Sequence, residues 1–246
     1  RLLGGDGLFT AYNDEPNWQK AHDVLMPAFS QQSMRRYHAI MFDVADELTT
    51  RWDERETVDV SADATRATLE TIGRCAAGHP FGAFDSEEPH PFVEHMVAGL
   101  KGADRVGMLR QTFLPRFLAR RAEREVLGHA EAMHRIADEI IAERLREGPG
   151  RHDDLLQLML QSDLEPANIR YQLINFLVAG HETTSGALSF ALYFLARHPE
   201  IADRARAEIA EVWGEQQRPD FELIAKLRYV RRVFDEALRL HPTVPG

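Results

Sequence analysis

The stretch Ala179, Gly180, His181, Glu182, Thr183, Thr184, Ser185 sets an acid, hydroxyls and a glycine inside an apolar run over residues 173–195. A hydroxyl on a helix can donate to the carbonyl four residues earlier, which pairs Thr183 with Ala179 and Thr184 with Gly180; such bonds often bend a helix. Gly180 leaves bare backbone, so a flat or small ligand can approach closely there. Glu182 beside Thr183 places a proton-exchanging carboxyl next to a hydroxyl, the pairing that a buried proton relay needs. The same spacing equally allows a packing role, with Thr183, Thr184 and Ser185 as small residues easing helix contact and Glu182 paired to a distant arginine, since buried carboxylates are rare unless paired. His181-Glu182 also resembles the start of a zinc-protease helix, but that motif needs a second histidine at 185, where Ser185 stands.

The run over 173–195 is long enough to be tested as a membrane span, for which about 20 apolar residues suffice. Its centre carries the polar residues, where one charge alone costs roughly 2.5 to 3.5 kcal/mol. No membrane span is therefore expected; a buried helix about 35 Å long at 1.5 Å per residue is. Upstream, Gly4-Gly5-Asp6-Gly7 and Asn13-Asp14-Glu15-Pro16-Asn17 are loops, the second entering a helix near Trp18. Tyr37, Ile40, Met41, Val44, Leu48 and Trp52 mark one face of an amphipathic helix. Val58 and Val60 suggest a short extended piece, and residues 62–75 a helix with Leu69 and Ile72 inward.

Pro91 opens the next helix at its first position. Residues 115–147 form a long charged helix with Phe117, Val126, Met133, Ile136, Ile140 and Leu145 as apolar anchors, stopped by Gly148-Pro149-Gly150. A short helix through Leu155, Leu158 and Met159 follows, then a polar loop over 163–166. Pro199 starts a helix with Ile201, Ala205, Ile209 and Val212 on one side and Glu200, Arg204 and Glu208 on another. The last helix runs over about 229–240, where Val230, Val233, Phe234, Ala237 and Leu238 leave Glu236 and Arg239 at the edge of the apolar stripe or outside it, which favours an exposed ion pair. Without repeats or strand alternation, the expected fold is mainly α.

Length and composition bound the function. A chain of 246 residues with 44% hydrophobic content can bury a large core as one big domain or two small ones. Its 29 basic and 39 acidic residues give a net charge of -10, which argues against nucleic acid as a partner. Cys75 is the only cysteine, so neither a disulfide framework nor a Cys-rich metal site is expected; a reducing, cytoplasmic setting fits. No signal peptide is visible. The start at Arg1 and the stop at Gly246 in a Pro-rich turn suggest a central fragment of something longer.

Taken together, these segments resemble a cytochrome P-450, a haem-thiolate monooxygenase. Residues Ala179 to Thr184 resemble that family's oxygen-activation motif, and Glu236-Ala237-Leu238-Arg239 its Glu-x-x-Arg helix, in the family's order and separation. Gly5-Asp6-Gly7-Leu8-Phe9-Thr10, Asn17-Trp18-Gln19-Lys20-Ala21-His22 and Phe29-Ser30-Gln31-Gln32 resemble bacterial fatty-acid hydroxylases fused to their own flavin reductase. The resemblance covers nearly the whole chain apart from about 99–124.

By that resemblance, the chain is a single incomplete haem domain over 1–246, lacking the N-terminal segment and the cysteine-ligand region. Its cofactor is haem b, with FAD, FMN and NADPH acting through a flavin reductase, fused or separate; its substrates are O2 and a small apolar molecule such as a fatty acid. Trp18 and His22 contact the haem propionates, and Leu8, Phe29, Ala179, Gly180, Thr183 and Thr184 contribute to cofactor binding. Phe9, Ala179 and Val244 form the substrate side. Thr183 hydrogen-bonds dioxygen, Glu182 relays protons, and Glu236 with Arg239 form a buried structural network. The family's axial cysteine is expected beyond Gly246, because Cys75 reads as a small buried hydrophobe; residues 1–246 alone are therefore expected to be inactive. A noncatalytic all-α ligand-binding or interaction domain is the rival from another class.

Overall fold

The structure, a computed structural model, describes residues 3–12, 14–111, 116–148, 150 and 152–244. Asn13, Pro115, Pro149, Pro245 and Gly246, which belong to expected loops and a helix start, lie outside the described residues. Among those described, every regular element is helical. In chain order they are α1 (Pro16–Leu25), a 3-10 turn (Met26–Phe29), α2 (Gln31–Asp53), α3 (Val60–Ala77), α4 (Pro91–Gln111) and α5 (Arg116–Glu147). Then come α6 (Leu155–Leu160), α7 (Pro166–Arg197), α8 (Pro199–Trp213), α9 (Phe221–Ile224) and α10 (Arg228–Leu240). No helix of the described residues is long and apolar enough to cross a membrane.

The boundaries have local causes. Prolines open α1, α4, α7 and α8, where the missing N–H lacks a helical partner in any case. Gly148, at φ 82°, follows α5 in the left-handed region that ends helices. Val58 and Val60 do not make an extended piece: Asp59 Oδ1 accepts the Ala62 N–H at 3.0 Å, so a side-chain cap turns this segment into the entry of α3.

The chain divides into two compact units, Arg1–Ser33 with Ile72–Val178, and Met34–Thr71 with Ala179–Gly246. In the first, α4 packs on α5, with Val106, Ala122 and Val126 buried against Leu3 and Leu109. His95 of α4 and His129 of α5 share a hydrogen between Nδ1 atoms 3.1 Å apart. Phe117 and Leu145 are exposed rather than anchoring α5. Phe117 precedes Val126 by nine residues, which at about 100° per residue is half a turn round the helix.

The N-terminal loop of this unit docks on the start of α7. The Leu8 N–H donates to Gln172 Oε1 at 2.9 Å. Asp6 accepts from Asn17 Nδ2 at 2.6 Å and from Asn168 Nδ2 at 3.0 Å. A Cβ on Gly7 would stand 1.7 Å from Asn175 Nδ2 and 3.1 Å from the Tyr171 carbonyl oxygen. Gly7→Ala is expected to lower stability by about 1–3 kcal/mol. Gly128→Ala in α5, where a Cβ meets nothing within 4 Å, is expected to raise it by roughly 0.5–1 kcal/mol. Thermal midpoints of the two variants measured together test the pair of signs.

In the second unit, Tyr37, Val44 and Leu48 bury the inner face of α2, while Met41 at its edge is exposed. Buried Asp63 gathers Arg51 Nε at 3.2 Å, Trp52 Nε1 at 2.9 Å and Arg66 Nη1 at 2.9 Å. Glu208 of α8 caps α10, accepting the Tyr229 N–H at 2.8 Å and the Val230 N–H at 3.0 Å. Desolvation opposes its ionisation, but these N–H groups, Arg228's and the charge of Arg204 outweigh it and hold the carboxyl below the usual range.

Candidate functional site

The motif of α7 sits in a turn whose two sides differ sharply. Thr183 Oγ1 donates to the Ala179 carbonyl at 2.6 Å, the bond its spacing implies. Ala179, Glu182 and Thr184 are exposed, while Gly180 and Thr183 are half-buried. Thr184 makes no corresponding side-chain bond to Gly180 among the described residues. Glu182 forms no ion pair there either, so a distant arginine does not account for it. Ser185 is buried, and its hydroxyl donates to the Glu182 carbonyl at 3.0 Å.

His181 occupies the reverse side and is 1% exposed. Its Nδ1 lies 3.0 Å from Thr68 Oγ1 of α3, and its Nε2 is buried without a hydrogen-bond partner. Desolvation lowers its pKa to about 4, against a small opposing effect of its own backbone. Sequence reasoning missed this residue as part of the site. The available signal was positional: a helix that turns 179 and 183 to one face turns 181 to the other.

In the first unit, Trp18 and His22 stand one turn apart on α1 with their rings stacked, centroids 5.1 Å apart and planes at 14°. His22 Nδ1 approaches Asp23 Oδ1 at 3.5 Å, an ion-pair distance without hydrogen-bond geometry, and remains unbonded. The Trp18 indole N–H has no bond among the described residues. Leu8 is half-buried and fixed by its bond to Gln172. Phe29 is exposed and tilts against Phe176 at 6.0 Å. Phe9 and Val244 are both well exposed.

Glu236 and Arg239 make a two-pronged ion pair, with Nε–Oε2 and Nη2–Oε1 both 2.7 Å. The Arg239 hydrogen bond holds Glu236 below the usual carboxylate range, and Glu236 in turn raises Arg239. The pair is solvated, not part of a buried network. Both side chains lie outside the face of α10 that buries Ala237, where the apolar stripe left them. Glu236 borders an apolar cavity of about 280 Å3 lined by Phe194, Leu195, Ile201, Val233 and Leu240; no residue of the 179–185 turn lines it.

Cys75 is buried in α3, and burial pushes its thiol up to about 12. It behaves as a small buried hydrophobe of the α3 core. Among the described residues no group of three or more His, Cys, Asp or Glu side chains could hold a metal ion.

Comparison with known proteins gives this arrangement a context. Residues 3–246 match the family described as Cytochrome P450. The chain is 42% identical over 256 residues to a bifunctional cytochrome P450/NADPH--P450 reductase of Bacillus cereus, covering 100% of the chain and 24% of that protein. The same figures hold for a bifunctional cytochrome P450/NADPH--P450 reductase of Bacillus subtilis. A self-sufficient cytochrome P450 monooxygenase of Phanerodontia chrysosporium is 41% identical over 255 residues, covering 98% of the chain and 23% of that protein. The chain thus spans about a quarter of the length of these relatives. With the match running through both the α1 segment and the α7 turn, the chain belongs to the cytochrome P450 family.

Proposed function

We propose that this chain is part of a haem-dependent monooxygenase that hydroxylates fatty acids with electrons passed from NADPH through a flavin reductase. The observation that carries it is the α7 turn, where Thr183 is bonded back to Ala179 on a face shared with small side chains and an uncompensated carboxylate. The reductase partner is supported by the bifunctional relatives, and the fatty acid by the resemblance of residues 5–10, 17–22 and 29–32 alone.

Haem, when bound, supplies the activation of dioxygen for insertion of one oxygen atom into a C–H bond. The chain's donors fit its carboxylates: His22 has a buried, unbonded Nδ1 and Trp18 an unbonded indole N–H, both suited to a propionate. Leu8 and Phe29 offer apolar contact from the same unit. In the second unit, Ala179 and Gly180 keep the helix face low enough for a flat ligand to lie against it, with Thr184 beside them.

Thr183 gives its hydroxyl hydrogen to the Ala179 carbonyl, which leaves its lone pairs to accept a hydrogen bond from a protonated group or water at that face. Glu182, exposed and unpaired among the described residues, sets a carboxylate one position away as the proposed proton relay. Phe9 and Val244 present apolar surface for substrate, and Glu236 with Arg239 serve as structure. Cys75, a small buried residue of α3, is not assigned as the axial ligand.

Thr183→Ala in the complete haem-loaded protein with its reductase tests the assignment. NADPH oxidation should continue while hydroxylated product per NADPH falls about tenfold or more, with hydrogen peroxide making up the difference. Unchanged coupling would remove Thr183 from the site. A carbon monoxide difference spectrum of the reduced protein, followed by titration with a fatty acid, checks cofactor and substrate class separately.

A further inference from the structure

His181 points into the core directly behind the reactive face of α7. At about 100° per residue, Ala179 and Thr183 lie roughly 160° from it around the helix axis. The bond from Nδ1 to Thr68 Oγ1, at 3.0 Å, joins two residues 113 positions apart in sequence. The other side-chain bonds of this turn, from Thr183 and Ser185, close within α7 itself and tie it to no other element.

The hydrogen bonds decide which nitrogen carries the proton. Thr68 has one hydroxyl hydrogen, and its oxygen lies 3.0 Å from the Ala64 carbonyl and 3.2 Å from that of Thr65. If the hydrogen goes to Ala64, His181 donates Nδ1–H to Thr68 and Nε2 keeps only a lone pair. If it goes to Nδ1 instead, the carbonyl bond is lost and the ring hydrogen sits on Nε2, buried with no acceptor. The second arrangement has one bond fewer and an unmet buried donor, the rarer and costlier defect. A doubly protonated ring has the same unmet donor and a buried charge as well.

We propose that His181 is the positioning residue of the α7 turn: a neutral imidazole in the Nδ1–H form whose bond to Thr68 sets the rotation of the helix and so the direction in which Ala179, Glu182 and Thr183 face. It deepens, and rests on, the function proposed above for that face. His181 then passes no proton.

Two measurements on the complete protein decide it. In the diamagnetic reduced carbon monoxide form, the His181 ring, identified by its loss in His181→Asn, should show the Nδ1–H tautomer in nitrogen NMR, and Thr68→Val should shift that signal. An Nε2–H tautomer overturns the proposal. Product per NADPH should fall about fivefold in His181→Leu and in Thr68→Val, the weight of one ordinary hydrogen bond, with KM changed less than about twofold. His181→Asn, whose amide can still donate to Thr68, should recover most of it. Coupling in His181→Leu equal to the parent also overturns the proposal. A parent that makes no product sinks the proposed function instead, and the tautomer then decides the positioning role alone.

Discussion

Asp154→Ala should lower the stability of the protein by about 3–5 kcal/mol, because it strands a charge in the core of the first unit. Arg144 of α5 is 3% exposed and Asp154 8%. Two guanidinium nitrogens engage both carboxylate oxygens, Nη1–Oδ1 at 2.9 Å and Nη2–Oδ2 at 2.7 Å, and Nη2 also donates to the Ala77 carbonyl at 2.5 Å. The pair therefore ties the end of α3 to α5 and to the entry of α6. Asp154 has a second task, accepting the Gln157 N–H at 2.9 Å as the cap of α6.

Removing the carboxylate loses the cap, worth about 0.5–2 kcal/mol, and leaves the buried guanidinium with only the Ala77 carbonyl and the longer, half-solvated pair to Glu147 at 3.7 Å. Two comparisons separate these effects. Asp154→Asn keeps an oxygen for the cap and should lose less than Ala. Arg144→Met combined with Asp154→Leu should lose less than the sum of the single variants, since no unpaired charge remains. Urea midpoints of the four variants read the cycle. A loss below about 1 kcal/mol for Asp154→Ala would mean that water reaches the pair and that the clamp is not buried in solution.

That clamp shows where a sequence is legible and where it is silent. Pro91, Pro199 and Gly148 mark helix ends through backbone chemistry that acts within a few residues, and α4, α8 and α5 begin or end beside them. The Thr183–Ala179 bond is of the same local kind. Arg144 and Asp154, by contrast, look like any surface charges on a charged helix and its loop. Only the fold brings Ala77 alongside them.

The start of α7 shows the same limit from another side. Asn168, Arg170 and Gln172 break the apolar run, so the signal begins at 173, whereas the helix begins at Pro166. Asn168, Gln172 and Asn175 are polar because the backbone of the Gly4–Leu8 loop must be satisfied there, through the bonds to Asp6, Leu8 and Gly4. Glu236 and Arg239 run the opposite way: their helical spacing alone places them at the surface, and the burial implied by family resemblance does not occur among the described residues.

Between pH 7 and pH 4.5 the protein should lose about 2 kcal/mol of stability through His181 alone. Its pKa falls from 6.5 to about 4 on folding, chiefly because burial disfavours the imidazolium. In that interval the unfolded chain binds a proton that the folded chain refuses, so stability rises with pH across it. Above about 6.5 both states hold the ring neutral and the effect vanishes; below about 4 both are protonated and the full penalty persists. The full penalty, for a ring taken from its ordinary 6.5 down to about 4, is on the order of 3 kcal/mol and is reached only below pH 4. Glu208, Glu222 and Glu236 are all held below 4.5 and titrate in more acid solution, so their contribution falls mostly outside this window. His181→Asn removes the titrating ring while keeping a donor for Thr68. Subtracting its pH profile from that of the parent should leave a single step between pH 6.5 and 4; parallel profiles would show that protonated His181 finds water or an acceptor at Nε2 in the folded state.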